Sequence, residues 1–161
     1  MPQCKPLPPL AEVQKAFNYD PDTGVITYAR SSGRARVGSE AGCITPSGYR
    51  RIFWNGTMHR SNRLAWLLGH GSDPGEFVVE HKNLDKLDNR LSNLRLATTC
   101  ENQWNRICRG WFVNDGKFVV RFSRKGVRHY IGSFGTAEEA EKAYREAKVA
   151  LCGEFAPDAY K

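Results

Sequence analysis

The sequence predicts an α+β fold built from short antiparallel strands and a few helices. An Asn-Gly pair at 55–56 separates two strand-like segments, and it supplies the two positive-φ positions that a type I′ hairpin turn needs. Residues 117–123 alternate between apolar and polar side chains, as a strand with one buried face does. Thr136 and Glu139 have the spacing of a capping box, which indicates the start of a helix. We therefore expect small antiparallel sheets with separate helices.

Before the hairpin, the chain predicts one helix, one turn and one strand. Residues 1–9 are rich in proline, and we expect them to be loosely held. Apolar residues at 10, 13 and 17 have helical spacing, and the Asp-Pro-Asp-Thr-Gly turn signal at 20–24 leads into a strand at 25–28. Residues 31–39 are polar, and arginines at 30, 34 and 36 make this segment basic. They fit either a solvated loop or a phosphate contact, and the solvated loop is the preferred interpretation.

The first hairpin is expected to lead directly into a helix. Its strands are predicted at 48–54 and 57–60. Ser61 is expected to cap the following helix, which carries apolar residues on one face and which Gly69 is expected to end.

A second hairpin is expected near the middle of the chain. A strand at 77–81 and a returning strand at 94–97 are separated by a polar loop. Thr98 and Glu101 have capping-box spacing, so a further helix should begin near Thr99.

The last third of the chain predicts a three-stranded sheet and one helix. Strands are expected at 109–113, 117–123 and 128–134, with turns between them. The helix begins after the capping box at 136–139, and Gly153 ends it near residue 152. Its apolar face is rich in alanine, which allows a helix to lie close to a sheet.

Composition narrows the classes of function. The 161 residues carry a net charge of +7, the usual electrostatic footprint of a nucleic-acid-binding protein, although many basic soluble proteins share it. The five cysteines are odd in number and show no CxxC spacing, so we expect free thiols in a reducing cytoplasm rather than disulfides or a zinc site. No signal peptide and no apolar run of about 18 residues is present, so a membrane role is not expected and the expected location is cytoplasmic.

Residues 78–102 carry the chemistry. Glu80 lies beside His81, Asn93 follows twelve positions after His81, and Asn102 follows nine positions later. Phosphodiester hydrolysis needs a base that activates water and a hard cation that offsets charge on the leaving oxygen. His81 is the candidate base, and Glu80 and Asn102 offer the oxygen ligands that Mg²⁺ prefers. A lone histidine is usually structural, so the prediction depends on the joint pattern.

That joint pattern resembles the core of HNH endonucleases, the ββα-metal nuclease motif. The run Asp-Asn-Arg-Leu-Ser-Asn-Leu-Arg at 88–95 and the run Glu-Asn-Gln-Trp-Asn at 101–105 match the family's pattern. Most relatives have Asp where this chain has Glu80. The resemblance implies a nuclease core at about 77–107 that uses Mg²⁺ or Mn²⁺, and it implies that Asn93 braces the loop orienting His81.

The N-terminal part is also similar to phage HNH proteins. The matching segments are 19–24, 48–49 and 63–66. Asn62 stands where that family usually has His, and it is therefore not among the predicted catalytic residues.

The C-terminal third resembles the AP-two or ethylene-response-factor DNA-binding domain of plants. Matching residues lie at 109–110, 116–118, 128, 130–134, 140, 143–144 and 153–156. In that family the sheet face enters the major groove, a known mode for a β-sheet reader. The alternative is a structural cap with a solvated basic face. The positions that match the family's DNA contacts are Arg109, Arg121, Ser123, Arg128, Tyr130 and Ser133.

We therefore predict an HNH nuclease region at 1–107 and a DNA-binding domain at 108–161. The expected activity is metal-dependent hydrolysis of double-stranded DNA to a 5′-phosphate and a 3′-hydroxyl, as a phage-type homing or nicking endonuclease without a small-molecule cofactor. The main alternative is a DNA-binding protein with a degenerate HNH core, and a structural or packaging accessory protein is a weaker one. The patterns leave open whether the protein is a monomer or a dimer.

Overall fold

The computed structural model describes residues 6–31, 33 and 35–160, and the chain divides into two compact units, Met1–Thr98 and Thr99–Lys161. Residues 1–5 of the predicted loose segment, with Cys4, and Arg34 of the polar loop lie outside the described residues. The predicted functional boundary at 107–108 stays a prediction.

In the part that the structure describes, the first unit contains two helices and three small antiparallel sheets. The sheets pair β1 with β2, β3 with β4 and β5, and β6 with β7. A single apolar core lies among these elements, with Val13, Phe17, Ile52, Leu64 and Val79 at its centre. The elements are α1 Leu10–Ala16, β1 Phe17–Tyr19, β2 Ile26–Tyr28, β3 Cys43–Ile44, β4 Arg50–Trp54, β5 Thr57–Arg60, α2 Ser61–His70, β6 Val78–His81, a 3-10 turn Leu91–Asn93 and β7 Leu94–Ala97.

Both predicted hairpins are present in this unit. Asn55 and Gly56 have φ values of 48° and 72°, as a type I′ turn requires, and they join β4 to β5. The β6 and β7 strands pair antiparallel over four residues each, at the predicted positions.

Phe17 was predicted in the first helix, and this is wrong. Its backbone is extended (φ −137°, ψ 145°), and it begins β1 opposite Tyr28. The side chain is buried against the rings of Tyr28 and Trp54, with both centroids 5.6 Å away. The apolar spacing thus correctly indicated that the Phe17 side chain is buried, although Phe17 lies in a strand and not in the helix.

The predicted ends of α2 are also wrong. Arg60 is the N-cap and makes no side-chain cap hydrogen bond, while Ser61 is the first helical residue. The helix continues past Gly69 and ends at the left-handed Gly71 (φ 74°), whose N–H donates to a backbone carbonyl of the last turn. Gly69 serves packing instead, because a Cβ there would lie 2.7 Å from the side chain of Leu91.

The second unit contains the predicted three-stranded sheet and its helix. The strand order is β10-β9-β8, all antiparallel, and α4 packs on one face around Val120, Ala140 and Tyr144. The capping box of Thr136 and Glu139 is formed. The elements are α3 Thr99–Trp104, β8 Trp111–Asn114, β9 Lys117–Arg124, β10 Val127–Phe134, α4 Ala137–Cys152 and 3-10 turns at Gly153–Phe155 and Asp158–Tyr160.

The strand predicted from residue 109 begins two residues later. Gly110 has a left-handed backbone (φ 76°), and a Cβ there would overlap the ring of Tyr144 at 2.1 Å. Close approach to α4 therefore breaks the extended run before Trp111. With both units described, the predicted α+β class is confirmed.

Two further expectations concern the whole chain. Within the described residues, Cys43, Cys100, Cys108 and Cys152 are free thiols. None of the helices in the described part of the chain has the length and apolar character needed to cross a membrane.

Candidate active site and nucleic-acid interface

Glu80 and His81 are neighbours at the end of β6, and both side chains are buried, with 4% and 5% of their surface exposed. The register of the hairpin places Glu80 opposite Arg95 and His81 opposite Leu94. Arg95 donates its Nε–H to Glu80 Oε1, which holds the buried carboxylate in one orientation. Removing one partner of a buried ion pair is costly because the other charge is left buried.

His81 is oriented by Asn89, a residue without an assigned role in the sequence prediction. His81 Nε2 lies 3.1 Å from Asn89 Oδ1. The amide orientation follows from its other side, where Nδ2 donates to the Leu87 carbonyl (3.2 Å) and to Ser61 Oγ (3.3 Å). Because a carbonyl can only accept, the oxygen of Asn89 faces His81, and His81 Nε2 is the donor. In this tautomer Nδ1 carries the lone pair of the ring.

The backbone of Asn89 is held as well. Tyr19 donates its hydroxyl to the Asn89 carbonyl at 2.8 Å, and burial raises the pKa of Tyr19 to about 12, with Asp20 and Asp88 adding to the shift. The hydroxyl therefore remains a donor throughout the neutral range. Asn89 lies in the run 88–95 that matched the family, so the motif itself was the signal that could have identified it.

Burial sets the protonation state of His81. Loss of solvent lowers the pKa of His81, while the hydrogen bond to Asn89 and the charges of Asp85 and Asp88 oppose this, and Lys86 adds to it. Burial is the largest of these effects, so the imidazole is neutral at neutral pH. A neutral imidazole in a fixed tautomer is the form that can accept a proton from water.

Asn93 lies at the other end of the loop between β6 and β7. Its Nδ2 donates to Asn83 Oδ1 (2.9 Å) and to the Asp88 carbonyl (2.7 Å), and its Oδ1 accepts the Asn83 N–H (3.1 Å). Asp88 in turn is paired with Arg90, which holds the pKa of Asp88 down to about 2. Asn93 thus holds two positions of the β6–β7 loop, Asn83 and Asp88, through its side chain. Its part in catalysis stays a prediction.

Asn62 has a structural place beside the same strand. It is buried in α2 and donates from Nδ2 to the Val79 carbonyl at 2.7 Å, one residue before Glu80. The neighbouring Arg63 binds the carbonyls of Gly75 and Phe77 and so holds the segment that enters β6.

The predicted site residues are thus divided between the two units. Glu80, His81 and Asn93 lie together in the β6–β7 hairpin and its loop. Asn102 lies half-buried in α3, in the second unit. Its pairing with Glu80 as a metal ligand stays a prediction.

Five of the six predicted DNA contacts lie on one exposed face of the second unit's sheet. The register pairs Arg128 with Ser123 and Tyr130 with Arg121, and a β-bulge between Tyr130 and Gly132 returns the strand so that Ser133 pairs with the next outward residue, Val119. The helix α4 covers the opposite face. The exposed members are Arg121, Ser123, Arg128, Tyr130 and Ser133.

Two arginines at this sheet are supported by aromatic rings. The guanidinium of Arg121 lies 4.3 Å from the ring centre of Phe112 on the neighbouring strand. Arg109 precedes the sheet, stacks over Trp111 at 4.2 Å and donates to the Trp111 carbonyl. Such stacking restricts the side chain while leaving its donors directed outward.

Comparison with known proteins gives a match over the segment that contains the β6–β7 hairpin. Residues 60–104 match a family model described as HNH endonuclease. An uncharacterized HNH endonuclease, L560, from Acanthamoeba polyphaga mimivirus is 30% identical over 115 residues, which are 68% of this chain and 62% of that protein. The chain therefore spans less than two thirds of the length of this relative.

A solved structure of the HNH homing endonuclease I-HmuI, described as showing DNA binding and cleavage, is 24% identical and covers 71% of each chain with a TM-score of 0.45. The sequence similarity of this chain is thus to the HNH endonuclease family, and the matched segment contains the β6–β7 hairpin with Glu80 and His81.

Proposed function

We propose that this protein is a metal-dependent DNA endonuclease that hydrolyses a phosphodiester bond to a 5′-phosphate and a 3′-hydroxyl. The observation that carries the proposal is the buried His81, held in one tautomer by Asn89 next to Glu80, inside the segment that matches HNH endonucleases.

In the proposed reaction, His81 takes a proton from water at Nδ1. The water oxygen forms a bond to phosphorus while the bond from phosphorus to the 3′ oxygen breaks, and the departing oxygen takes a proton from solvent. The imidazolium that forms keeps its Nε2–H hydrogen bond to Asn89 Oδ1, which becomes stronger when the ring is charged. Asn89 therefore both orients the base and stabilises its product state.

The oxygen donors of Glu80 and Asn102 fit a hard divalent cation, and we propose that they would hold Mg²⁺ or Mn²⁺. Within the described residues, three or more His, Cys, Asp or Glu side chains do not cluster as a metal site. The bound ion would supply charge stabilisation for the departing oxygen. Arg95 keeps the Glu80 carboxylate in one orientation.

We further propose that the enzyme is site-specific and of the homing type, and that its sheet β8–β10 reads double-stranded DNA. The exposed face carries Arg121 and Arg128, and arginine is the side chain that pairs bidentately with guanine. Tyr130 pairs with Arg121 across the sheet and has 66% of its surface exposed, so its ring is open to a ligand on this face.

A second candidate is a DNA-binding protein whose HNH core no longer cuts. The pairing of Glu80 with Arg95 favours it, because a buried guanidinium competes with a cation for the same carboxylate. A plasmid-nicking assay separates the two candidates.

The assay compares supercoiled plasmid in Mg²⁺ and in excess chelator. We expect nicking in Mg²⁺ alone, and we expect His81→Ala to lower the rate by roughly 10²–10⁴-fold, as loss of a general base does. Glu80→Ala should abolish metal-dependent cutting, and Glu80→Asp should weaken it only modestly. His70→Ala, at the exposed end of α2, is the matched control. Nicking by His81→Ala at the wild-type rate would exclude this mechanism.

A further inference from the structure

The outer face of the β4–β5 hairpin carries an arrangement that costs stability. Arg51 and Arg60 are direct cross-strand partners. Like charges in directly opposite positions destabilise a sheet. The neighbouring Arg50 shows the alternative, since its guanidinium is paired with Glu40 at 3.0 Å. Within the described part of the chain, Arg51 and Arg60 form no ion pair, and Arg51 Nε is buried without a hydrogen-bond partner.

A third cation, Lys86, lies near Arg60 because both contact the ring of Tyr49. The Arg60 guanidinium and the Lys86 ammonium each lie 4.9 Å from the centre of the Tyr49 ring. Lys86 comes from the loop between β6 and β7, donates from Nζ to the Ser47 carbonyl at 2.9 Å, and packs its stem over Gly48. Two cations over one ring are therefore held in place rather than dispersed into solvent.

The third relevant contact links this surface to the proposed active site. The rings of Tyr49 and His81 are 6.3 Å apart between centroids, with an angle of 44° between their planes. Lys86 is also close enough for its charge to act on His81. The cations and the candidate base thus share one region of the first unit.

We propose that Arg51, Arg60 and Lys86, arranged around Tyr49, form a clamp for the backbone phosphates of double-stranded DNA, next to the phosphate attacked by the water that His81 activates. The position of this clamp beside a cleaved phosphate rests on the proposed function. Its ligand is inferred from charge complementarity. Two arginines on the β4–β5 hairpin and a lysine from the β6–β7 loop, none of them in an ion pair among the described residues, match a polyanion whose charges are closely and regularly spaced. The clamp does not read sequence, because phosphate contacts position DNA without distinguishing bases.

The test measures DNA binding in chelator, so that it needs no cleavage. For a duplex of fixed sequence, the logarithm of the association constant is plotted against the logarithm of salt concentration. Each phosphate contact contributes about 0.9 to the slope, so Arg51→Gln with Arg60→Gln should make it shallower by about 2, and Lys86→Met by about 1. Lys86→Arg should restore the slope. Arg50→Gln is the matched control, because it removes the same charge from an arginine that is already paired.

Thermal unfolding gives the second readout. The Arg51→Gln and Arg60→Gln double variant should be at least as stable as wild type, because it removes a repulsive pair. Weaker binding with unchanged or higher stability supports the clamp, whereas an unchanged slope in the double variant, or a slope loss equalled by Arg50→Gln, overturns it. A wild-type protein that binds DNA but never nicks would reject the proposed nuclease function and leave the clamp standing.

Discussion

His81 and Glu80 are adjacent in sequence, yet their side chains have different electrostatic partners. Glu80 is neutralised by the guanidinium of Arg95, whereas His81 faces the uncharged amide of Asn89. Burial is the largest effect on the pKa of His81 and lowers it, although the Asn89 hydrogen bond and the charges of Asp85 and Asp88 oppose the shift. These surroundings favour the neutral imidazole.

The pH dependence of cutting follows from this environment. A general base acts only when unprotonated, so the rate should rise with pH through a midpoint below the ordinary histidine pKa and then reach a plateau. Asn89→Asp would place a carboxylate at the 3.1 Å contact, favour the imidazolium and move the midpoint to higher pH. The measurement is single-turnover nicking at saturating metal across the acidic range.

The control for this variant is Asn18→Asp, the same change at an exposed position of β1 in the same unit. It should leave the midpoint unchanged. An Asn89→Asp midpoint equal to that of wild type would mean that the titrating group in cleavage is not His81.

At the scale of elements, the sequence predicted what short-range chemistry determines. The Asn-Gly turn and the start of α3 at Thr99 were correct because their signals lie within a few residues of one another. Gly69 was misread as a helix stop, since its reason is contact with Leu91, more than twenty positions away.

The same limit applies to buried polar residues. Lys148 is 1% exposed in α4 and donates to the Arg106 carbonyl at 2.5 Å, although lysine is among the residues least often buried. The motif at 88–95 contains Asn89, but the contacts of Asn89 with Ser61 and His81 are seen only in the folded chain. Residue types and motif spacing predicted the candidate residues, while the orienting contacts required the fold.

The loop between β6 and β7 gives the prediction at this scale. Asn93→Ala removes three hydrogen bonds within a half-buried loop, so we expect a loss of about 1–3 kcal/mol in the free energy of unfolding. We also expect a lower nicking rate constant at saturating DNA, because the loop carries Asn89. Urea unfolding and nicking measure the two effects.

Ser92→Ala is the neighbouring control, since its side chain is exposed. It should be close to wild type in both measurements. If Asn93→Ala loses stability but keeps the wild-type rate constant, the residue has a structural role and its predicted part in catalysis is wrong.

At the scale of the whole molecule, the net charge of +7 is distributed over surfaces with different chemistry. The hairpin clamp of the first unit presents cations next to the proposed active site, which suits sequence-independent phosphate contact. The sheet face of the second unit presents arginine, serine and tyrosine side chains that can reach base edges. If both proposals hold, affinity and selectivity should be separable by substitution in the full-length chain.

Arg121→Gln and Arg128→Gln, made singly in the full-length protein, test this separation. If either arginine reads a guanine, its loss should cost about 1–3 kcal/mol at that base pair and relax selection there, while nicking of saturating non-cognate DNA stays unchanged. If it touches only phosphate, binding should weaken evenly across sequences with a shallower salt slope. Arg145→Gln, on α4 and paired with Glu141, is the control. Cleavage-site mapping over a randomised duplex library gives the measurement, and unchanged site preference in both variants would move recognition to the first unit.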